Sequence, residues 1–510
     1  MTRRTLPWLL ALCAVPLAAR AAGFEVASLG PDEATFQWQT VDAAPSVVRI
    51  RPGTGDEPAG ADAGEAEWRR VEGTGEPSRF HVVDVAGLQP DSHYEYRLGE
   101  GDVGPSGTLT TLALPAGDLR AVLYVLADIH LCVEDCADGV RRLSASRNAY
   151  AAALADIERR ASALPQTLPR ALLILGDLSQ QPRPAEWDAA AAVEHPGLPI
   201  CVIPGNHEGW DEDWARRMSD TEERLASPEC RYDGSRGILD LDGWRILLLS
   251  SLVPGENWGE LGEEQRAWLD ARLDEAPERP TLLAVHHPYL AHPASVVLDR
   301  TARFTFLQDA DALETVLARH RQVVAVLSGH LHANWTGRRG DVTQLLFSSL
   351  AQYPMGYHSL TLYDGGLVRR YHPLAATAAE AEQSAREVRR WAEREGVPLA
   401  AAVTGLVYGG MQDRNVVVAA ATATDADATG ASPTPTPTPT PTSTTAATDA
   451  GTTTTTTTTR GTGGRGAGCR CAATTTNEPW CAVVVVAAVV AWPLRRARRA
   501  RTVGGTGRGA

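Results

Sequence analysis

"VVAVLSGHLH", Val323–His332, runs from five aliphatic residues through Ser328-Gly329 into two histidines that flank a leucine. An aliphatic run without alternation is the pattern of a strand covered on both faces. Its polar tip decides the fold, because four other runs end in the same manner. "AVLYVLADIH" ends at Asp128 and His130, "ALLILGD" at Asp177, "PICVIPGNHE" at Asn206 and His207, and "TLLAVHHP" at His286 and His287. In open α/β sheets, ligand-binding groups sit just beyond the carboxyl ends of strands. If these five tips converge, several imidazoles, two carboxylates and an amide share one pocket. One histidine on an apolar strand is ordinarily structural, a reading that suits His287 and His292. It does not account for ligand-type residues at five successive strand ends.

Isolated buried ionisable groups are costly unless they are paired or bound to metal. Carboxylate and imidazole without thiolate suit divalent or trivalent Fe, Mn or Zn. The donors outnumber the needs of one tetrahedral ion. The predicted cofactor is therefore a pair of ions bridged by one carboxylate, about 3.5–4 Å apart.

Taken in order, Asp128-x-His130, Gly176-Asp177, Gly205-Asn206-His207-Glu208, His286 and Gly329-His330-x-His332 resemble the motifs of the calcineurin-like metallophosphoesterase family. The resemblance spans residues 120–372. In "GENWGELGEEQRAWLDARL", Gly259, Leu261, Gln265, Trp268 and Leu269 are similar to that family's helix before the histidine strand. The resemblance implies a four-layer αββα sandwich. It implies that Asp128, His130 and His332 hold one metal, that Asn206, His286 and His330 hold the other, and that Asp177 bridges them. His207 would face the phosphate and stabilise the transition state or protonate the leaving oxygen, and His287 would be a supporting residue. The implied reaction is hydrolysis of phosphate mono- or diesters by attack of a metal-bound hydroxide. Purple acid phosphatases have Asp-x-Gly in the first motif and a tyrosine ligand after the second. "GDLSQ" has no tyrosine there, so the site resembles class III cyclic-nucleotide phosphodiesterases more closely. Ser250 stands where many relatives carry aspartate, outside the ligand set.

Upstream, residues 23–115 read as a small all-β sandwich. "ATFQWQT" alternates Phe36 and Trp38 with polar neighbours, the period of a half-buried strand. Leu88, Pro90, Tyr94 and Tyr96 in "LQPDSHYEYRL" resemble the corner of a fibronectin type III domain, where a tyrosine hydroxyl bonds back to the backbone. The α/β region is placed at 118–374, with helical stretches such as "SASRNAYAAALADIERRASAL" between its aliphatic runs. A helical extension follows over 375–421. Residues 422–468, with "SPTPTPTPTPT" and a threonine run, cannot build a core and are read as a disordered stalk.

Both ends point to export. Residues 1–22 carry Arg3 and Arg4, an apolar run and the small-x-small Ala19-Arg20-Ala21, as in a secretory signal peptide. In 469–510, Cys469-x-Cys471, the apolar Trp480–Leu494 and a terminal arginine cluster resemble the sorting signals of exported myxobacterial proteins. The competing reading is a short transmembrane helix. Either would attach the protein to the cell surface or outer envelope; cleavage would secrete it. Export permits disulfides. Cys132 with Cys136 and Cys201 with Cys230 are candidate pairs, and the sequence leaves connectivity open. The chain has 510 residues, a net charge of −14 and no lysine, which argues against nucleic-acid binding through a basic face. Trp210, Trp214 and Trp258 read first as loop packing and second as a cleft wall. The function expected is an exported dinuclear phosphoesterase. The rival class is a surface binding or adhesion protein that keeps a degenerate site as scaffold.

Overall fold

Alternating and continuous apolar patterns build two kinds of sheet here. The computed structural model describes residues 24–53, 67–73, 75–100, 104–136, 141–210, 227, 229–292, 306–394 and 403–420. The predicted signal peptide, stalk and C-terminal segment lie outside these residues, as do Trp214 and most of the loop that follows Trp210. Among the described residues, no helix is long and apolar enough to cross a membrane.

The alternating segments are β1 (Phe24–Leu29), β2 (Glu33–Ala44), β3 (Val47–Pro52), β4 (Arg69–Glu72), β5 (Ser78–Ala86), β6 (His93–Leu98) and β7 (Ser106–Thr110). They form antiparallel sheets ordered β1-β2-β5 and β4-β3-β6-β7. Phe36, Trp38, Val48, Ile50, Val83 and Tyr96 share one core, on the faces that the period of two assigns inward. The Tyr94 hydroxyl accepts the Gln89 backbone N–H at 2.8 Å across the turn before β6.

The continuous runs begin with β8 (Leu119–Leu126), α1 (Ser146–Ser162), β9 (Arg170–Leu175), α2 (Pro184–Ala191) and β10 (Ile200–Ile203). Next come β11 (Arg231–Tyr232), β12 (Arg236–Leu241), β13 (Trp244–Leu249), α3 (Gly262–Asp274), β14 (Thr281–Val285), α4 (Ala310–Leu317) and β15 (Val323–Ser328). The remainder comprises β16 (Trp335–Arg339), β17 (Val342–Leu346), β18 (Gly356–Tyr363), β19 (Gly366–Pro373), α5 (Ala378–Arg394), α6 (Val403–Tyr408), α7 (Met411–Arg414) and β20 (Val416–Ala419). One sheet is ordered β10-β9-β8-β18-β19-β20, the other β11-β12-β13-β14-β15-β17-β16. Leu123, Val125 and Leu173 of the first meet Leu248, Ala284 and Leu327 of the second in the central core. α1 and α2 cover the outer face of the first sheet through Leu154, Ile157 and Trp187. α3 and α4 cover the second through Leu269, Leu273, Leu313 and Val316. The result is the four-layer αββα sandwich expected. Because both faces of each central strand are covered, its sequence loses alternation.

The segment 375–421 differs from the purely helical expectation. After Asn415 it turns into β20, which pairs antiparallel with β19 from Gly366↔Ala419 to Arg369↔Val416 and completes the first sheet. "VVVA" is too short to stand out against the helical pattern before it. Cys132 is bonded to Cys136 and Cys201 to Cys230.

β19 also joins the two regions. The buried Arg370 guanidinium donates to Ser28 Oγ at 2.9 Å and Thr35 Oγ1 at 2.8 Å, and forms an ion pair with Glu33. Ser28 Oγ donates in turn to Asn415 Oδ1 at 3.1 Å. Arg160 of α1 reaches Asp84 at 2.5 Å.

Candidate metal centre

The five polar tips converge. Three follow the adjacent parallel strands β8, β9 and β10 of the first sheet, and two follow the adjacent parallel strands β14 and β15 of the second. The backbone at these tips is unusual. Asp128 (φ 51°), His130 (49°), Asp177 (50°), His330 (69°) and His332 (53°) all sit in the left-handed region. Each such non-glycine residue costs roughly 1–3 kcal/mol, a strain that persists where the surroundings over-determine a functional site. Here it curls the ends of β8, β9 and β15 so that neighbouring side chains turn into the same pocket.

Two groups result. Asp128, His130, Asp177 and His332 each offer an atom within 4.8 Å of the others, and so do His286, His287 and His330. His130 Nε2 lies 3.0 Å from His332 Nε2, and His332 Nε2 lies 3.4 Å from Asp128 Oδ1. Asp177 Oδ2 is 3.8 Å from His130 Nε2 and 3.5 Å from His286 Nε2, so one carboxylate oxygen faces an imidazole of each group. Asn206 Oδ1 sits 3.3 Å from His286 Nε2. His330 Nε2 is buried with no hydrogen-bond partner among the described residues. Such a convergent, water-excluded set of imidazole and carboxylate donors fits a pair of transition-metal ions. Asp128, His130, Asp177 and His332 could hold one ion, and His286 and His330, with Asn206 beside them, could hold the other. His287, expected to be a supporting residue, stands inside the second group. Its ring centre is 4.4 Å from that of His330, and its Nδ1 bonds Ser251 Oγ at 2.8 Å.

Surrounding bonds fix each ligand's orientation, as metal sites require. Leu175 O takes His286 Nδ1–H at 2.7 Å, Gln352 Oε1 contacts His332 Nδ1 at 3.1 Å, and the Asp128 carboxylate accepts the His330 N–H at 2.9 Å. Glu208 accepts the backbone N–H groups of Asp177, Ser179 and Gly205 at 2.9, 2.9 and 2.7 Å, which ties the tips of β9 and β10 together. His207 donates its backbone N–H to Asp177 Oδ1 at 2.9 Å and its Nδ1–H to Gln180 O at 2.7 Å. Its Nε2 therefore faces the pocket. Arg141 Nη1 lies 3.4 Å from His207 Nε2, 3.4 Å from His130 Nδ1 and 3.2 Å from Gln180 Oε1. Gln180 occupies the place of the tyrosine that "GDLSQ" lacks. Trp258 is half-buried and donates to Glu256 Oε2, while its neighbour Asn257 contacts Asn206 Nδ2 at 3.4 Å. Gln265 of α3 bonds both the N–H and the carbonyl of Ser250, steadying the loop after β13.

Sequence reasoning did not single out Arg141, Gln180 or Gln352. Arg141 and Gln352 lie outside the strand tips and nothing in their local pattern marks them, whereas Gln180 closes the "GDLSQ" tip and was read there only for the tyrosine it replaces. Glu208 belongs to the third motif, but only its three amide bonds show what it does.

Burial drives His130 and His330 well below the ordinary histidine range and His207 down to about 4, so these rings are neutral. Burial alone would raise Asp177, but His286, His207 and His130 hold it well below the usual carboxylate range. Burial also opposes charge on His286, yet the Asp177 carboxylate outweighs it and raises the ring to about 9. In metal-stripped protein His286 thus carries a proton that an entering ion must displace. The raised value stabilises the stripped fold below the unfolded histidine range and ceases to do so as pH climbs through about 9. Metal affinity should therefore rise about tenfold per pH unit from neutrality towards pH 9. Competition against a chromophoric chelator measures this, and an affinity that stays flat over that range would contradict the Asp177–His286 pairing.

The family described as calcineurin-like phosphoesterase matches residues 121–334, and the purple acid phosphatase N-terminal domain matches residues 23–111. A Synechococcus protein described as "Probable cyclic nucleotide phosphodiesterase" is 32% identical over 261 residues, 49% of this chain and 91% of that relative. The 3',5'-cyclic adenosine monophosphate phosphodiesterase CpdA of Escherichia coli is 33% identical over 221 residues, 40% of this chain and 75% of CpdA. The protein of the same description from Pseudomonas aeruginosa is 29% identical over 252 residues. The chain belongs to the calcineurin-like phosphoesterase family and is a metal-dependent phosphoric ester hydrolase.

Proposed function

We propose that this enzyme hydrolyses phosphodiesters, with cyclic nucleotides as the substrate class, outside the cytoplasm. The observation that carries the reading is Asp177 Oδ2 lying between His130 and His286, one imidazole from each donor group. That placement suits a bridging ligand. Bound ions would supply Lewis acidity and a lowered pKa for water. The chain's own contribution is to keep Asp128, His130, His286, His330 and His332 in fixed rotamers and to exclude water from their faces. It also holds His207 by Gln180 O so that Nε2 meets the phosphoryl group. The names of the relatives support the cyclic-nucleotide class, as does the absence of a tyrosine ligand at Gln180. Fe, Mn and Zn all suit the donors. Two disulfides agree with an oxidising compartment. The signal-peptide pattern at 1–22 and the surface-attachment pattern at 469–510 support export and an outer location.

The test is a panel of cyclic nucleotides, bis(p-nitrophenyl) phosphate and p-nitrophenyl phosphate, offered to protein reconstituted with Mn, Fe or Zn. Diesters, cyclic nucleotides among them, should turn over faster than the monoester. Turnover of the monoester alone would overturn the assignment.

A further inference from the structure

The chain crosses from the second sheet to the first through residues 347–355, between β17 and β18. This crossover stitches two strand tips together. Phe347 donates its N–H to Ser328 O, at the end of β15, at 2.8 Å. Leu350 N–H donates to Ala127 O at 3.2 Å and Ser349 Oγ to Asp128 O at 2.7 Å, both just past β8. The Ala351 N–H returns to Ser349 Oγ at 3.0 Å and fixes the hydroxyl. The loop thus serves Asp128 and His332, which share one donor group but come from different sheets.

Gln352 is the side chain that this route delivers. It is 1% exposed, and its Oε1 lies 3.1 Å from His332 Nδ1. A carboxamide oxygen only accepts, so it keeps the ring proton on Nδ1. The lone pair then lies on Nε2, the nitrogen that faces His130 Nε2 and Asp128 Oδ1. Outer bonds of this kind fix the tautomer and direction of a ligating imidazole. The crossover is itself braced from outside. Ser384 Oγ of α5 accepts the Tyr353 N–H at 2.9 Å, and the Arg142 N–H donates to Ala351 O at 2.7 Å. Glu387 of α5 holds the Arg142 side chain at 3.3 Å. The family match ends at residue 334, so both the crossover and α5 lie beyond it.

We propose that Gln352 is a positioning residue for the ion that Asp128, His130, Asp177 and His332 could hold, and that α5 serves that ion by bracing the crossover through Ser384 and Glu387. The proposal rests on the two-ion reading of the centre.

The experiment compares Gln352→Leu, Gln352→Glu and Ser384→Ala with the parent full chain. Zinc is the probe. Stoichiometry is read by elemental analysis and the affinity of each ion by competition against a chromophoric chelator. Gln352→Leu should weaken one of the two ions on the order of 10- to 100-fold and leave the other as in the parent. Gln352→Glu should match or exceed the parent, because a carboxylate accepts the same Nδ1–H. Ser384→Ala should weaken the same ion on the order of tenfold or less, the loss of one bond at a distance. Affinities within twofold of the parent in Gln352→Leu would overturn the proposal. So would a Gln352→Glu variant as weak as Gln352→Leu, since the acceptor would then not be what matters. Parental affinity in Ser384→Ala would overturn the role of α5. A parent chain that takes up no zinc would sink the two-ion reading and this proposal together. A parent that binds two ions and behaves as expected here, yet cleaves no ester, would fail the proposed function and leave this inference standing.

Discussion

Asp177→Asn should lower phosphodiester turnover on the order of 10³-fold or more and reduce bound metal below two ions per chain. The carboxylate's two oxygens have separate tasks. Oδ1 accepts the His207 backbone N–H, and Oδ2 lies between His130 and His286. Asparagine keeps the size and one acceptor, so the tip of β9 should keep its shape. It removes the negative charge that both groups share, and it can place an amide N–H where a cation would sit. Elemental analysis and single-turnover kinetics on the same sample check both halves. A variant that holds two ions and turns over at the parental rate would mean that Asp177 does not bridge.

Gly205→Ala should be nearly as damaging, although Gly205 contributes no side chain to the site. Its φ is not in the left-handed region, so the backbone itself accepts alanine. The obstacle is space: a Cβ there would stand 2.5 Å from Asp177 N and 2.8 Å from Asp177 Cγ. Asp177 cannot retreat, because Glu208 binds its N–H and that of Gly205 together. Overpacking of this kind costs roughly 1–3 kcal/mol, and the displaced carboxylate should lower turnover on the order of 10²-fold. Gly197→Ala, where nothing lies within 4 Å, is the matched control. Thermal unfolding and ester hydrolysis should separate the two variants. Equal behaviour would mean that the close approach of the β9 and β10 tips is unimportant.

The fold was legible where burial leaves a strong mark. Strands β8, β9, β10, β14 and β15 are covered on both faces, so they read as aliphatic runs whose polar tips stand out. The ligand-type residues at those tips are the ones the structure gathers. What remained hidden depends on tertiary placement. Whether a tip belonged to the first sheet or the second is decided by pairings such as β8 with β18, whose partners lie more than 200 residues apart. β20 was too short to separate from the helices before it. Arg141 and Gln180 sit in loops, and only folding brings them beside His130 and His207. His287, read as a supporting residue beside His286, packs its ring against His330 and bonds Ser251 Oγ through Nδ1.

The joint at Arg370 bears on how far this hydrolase can be shortened. β19 carries Arg370 and pairs with β18, which pairs with β8, the strand that presents Asp128. Excising the leading sandwich would remove Ser28, Glu33 and Thr35 and uncover an unneutralised guanidinium two strands from the catalytic cage. A version trimmed to the second region should therefore carry an apolar substitute at Arg370.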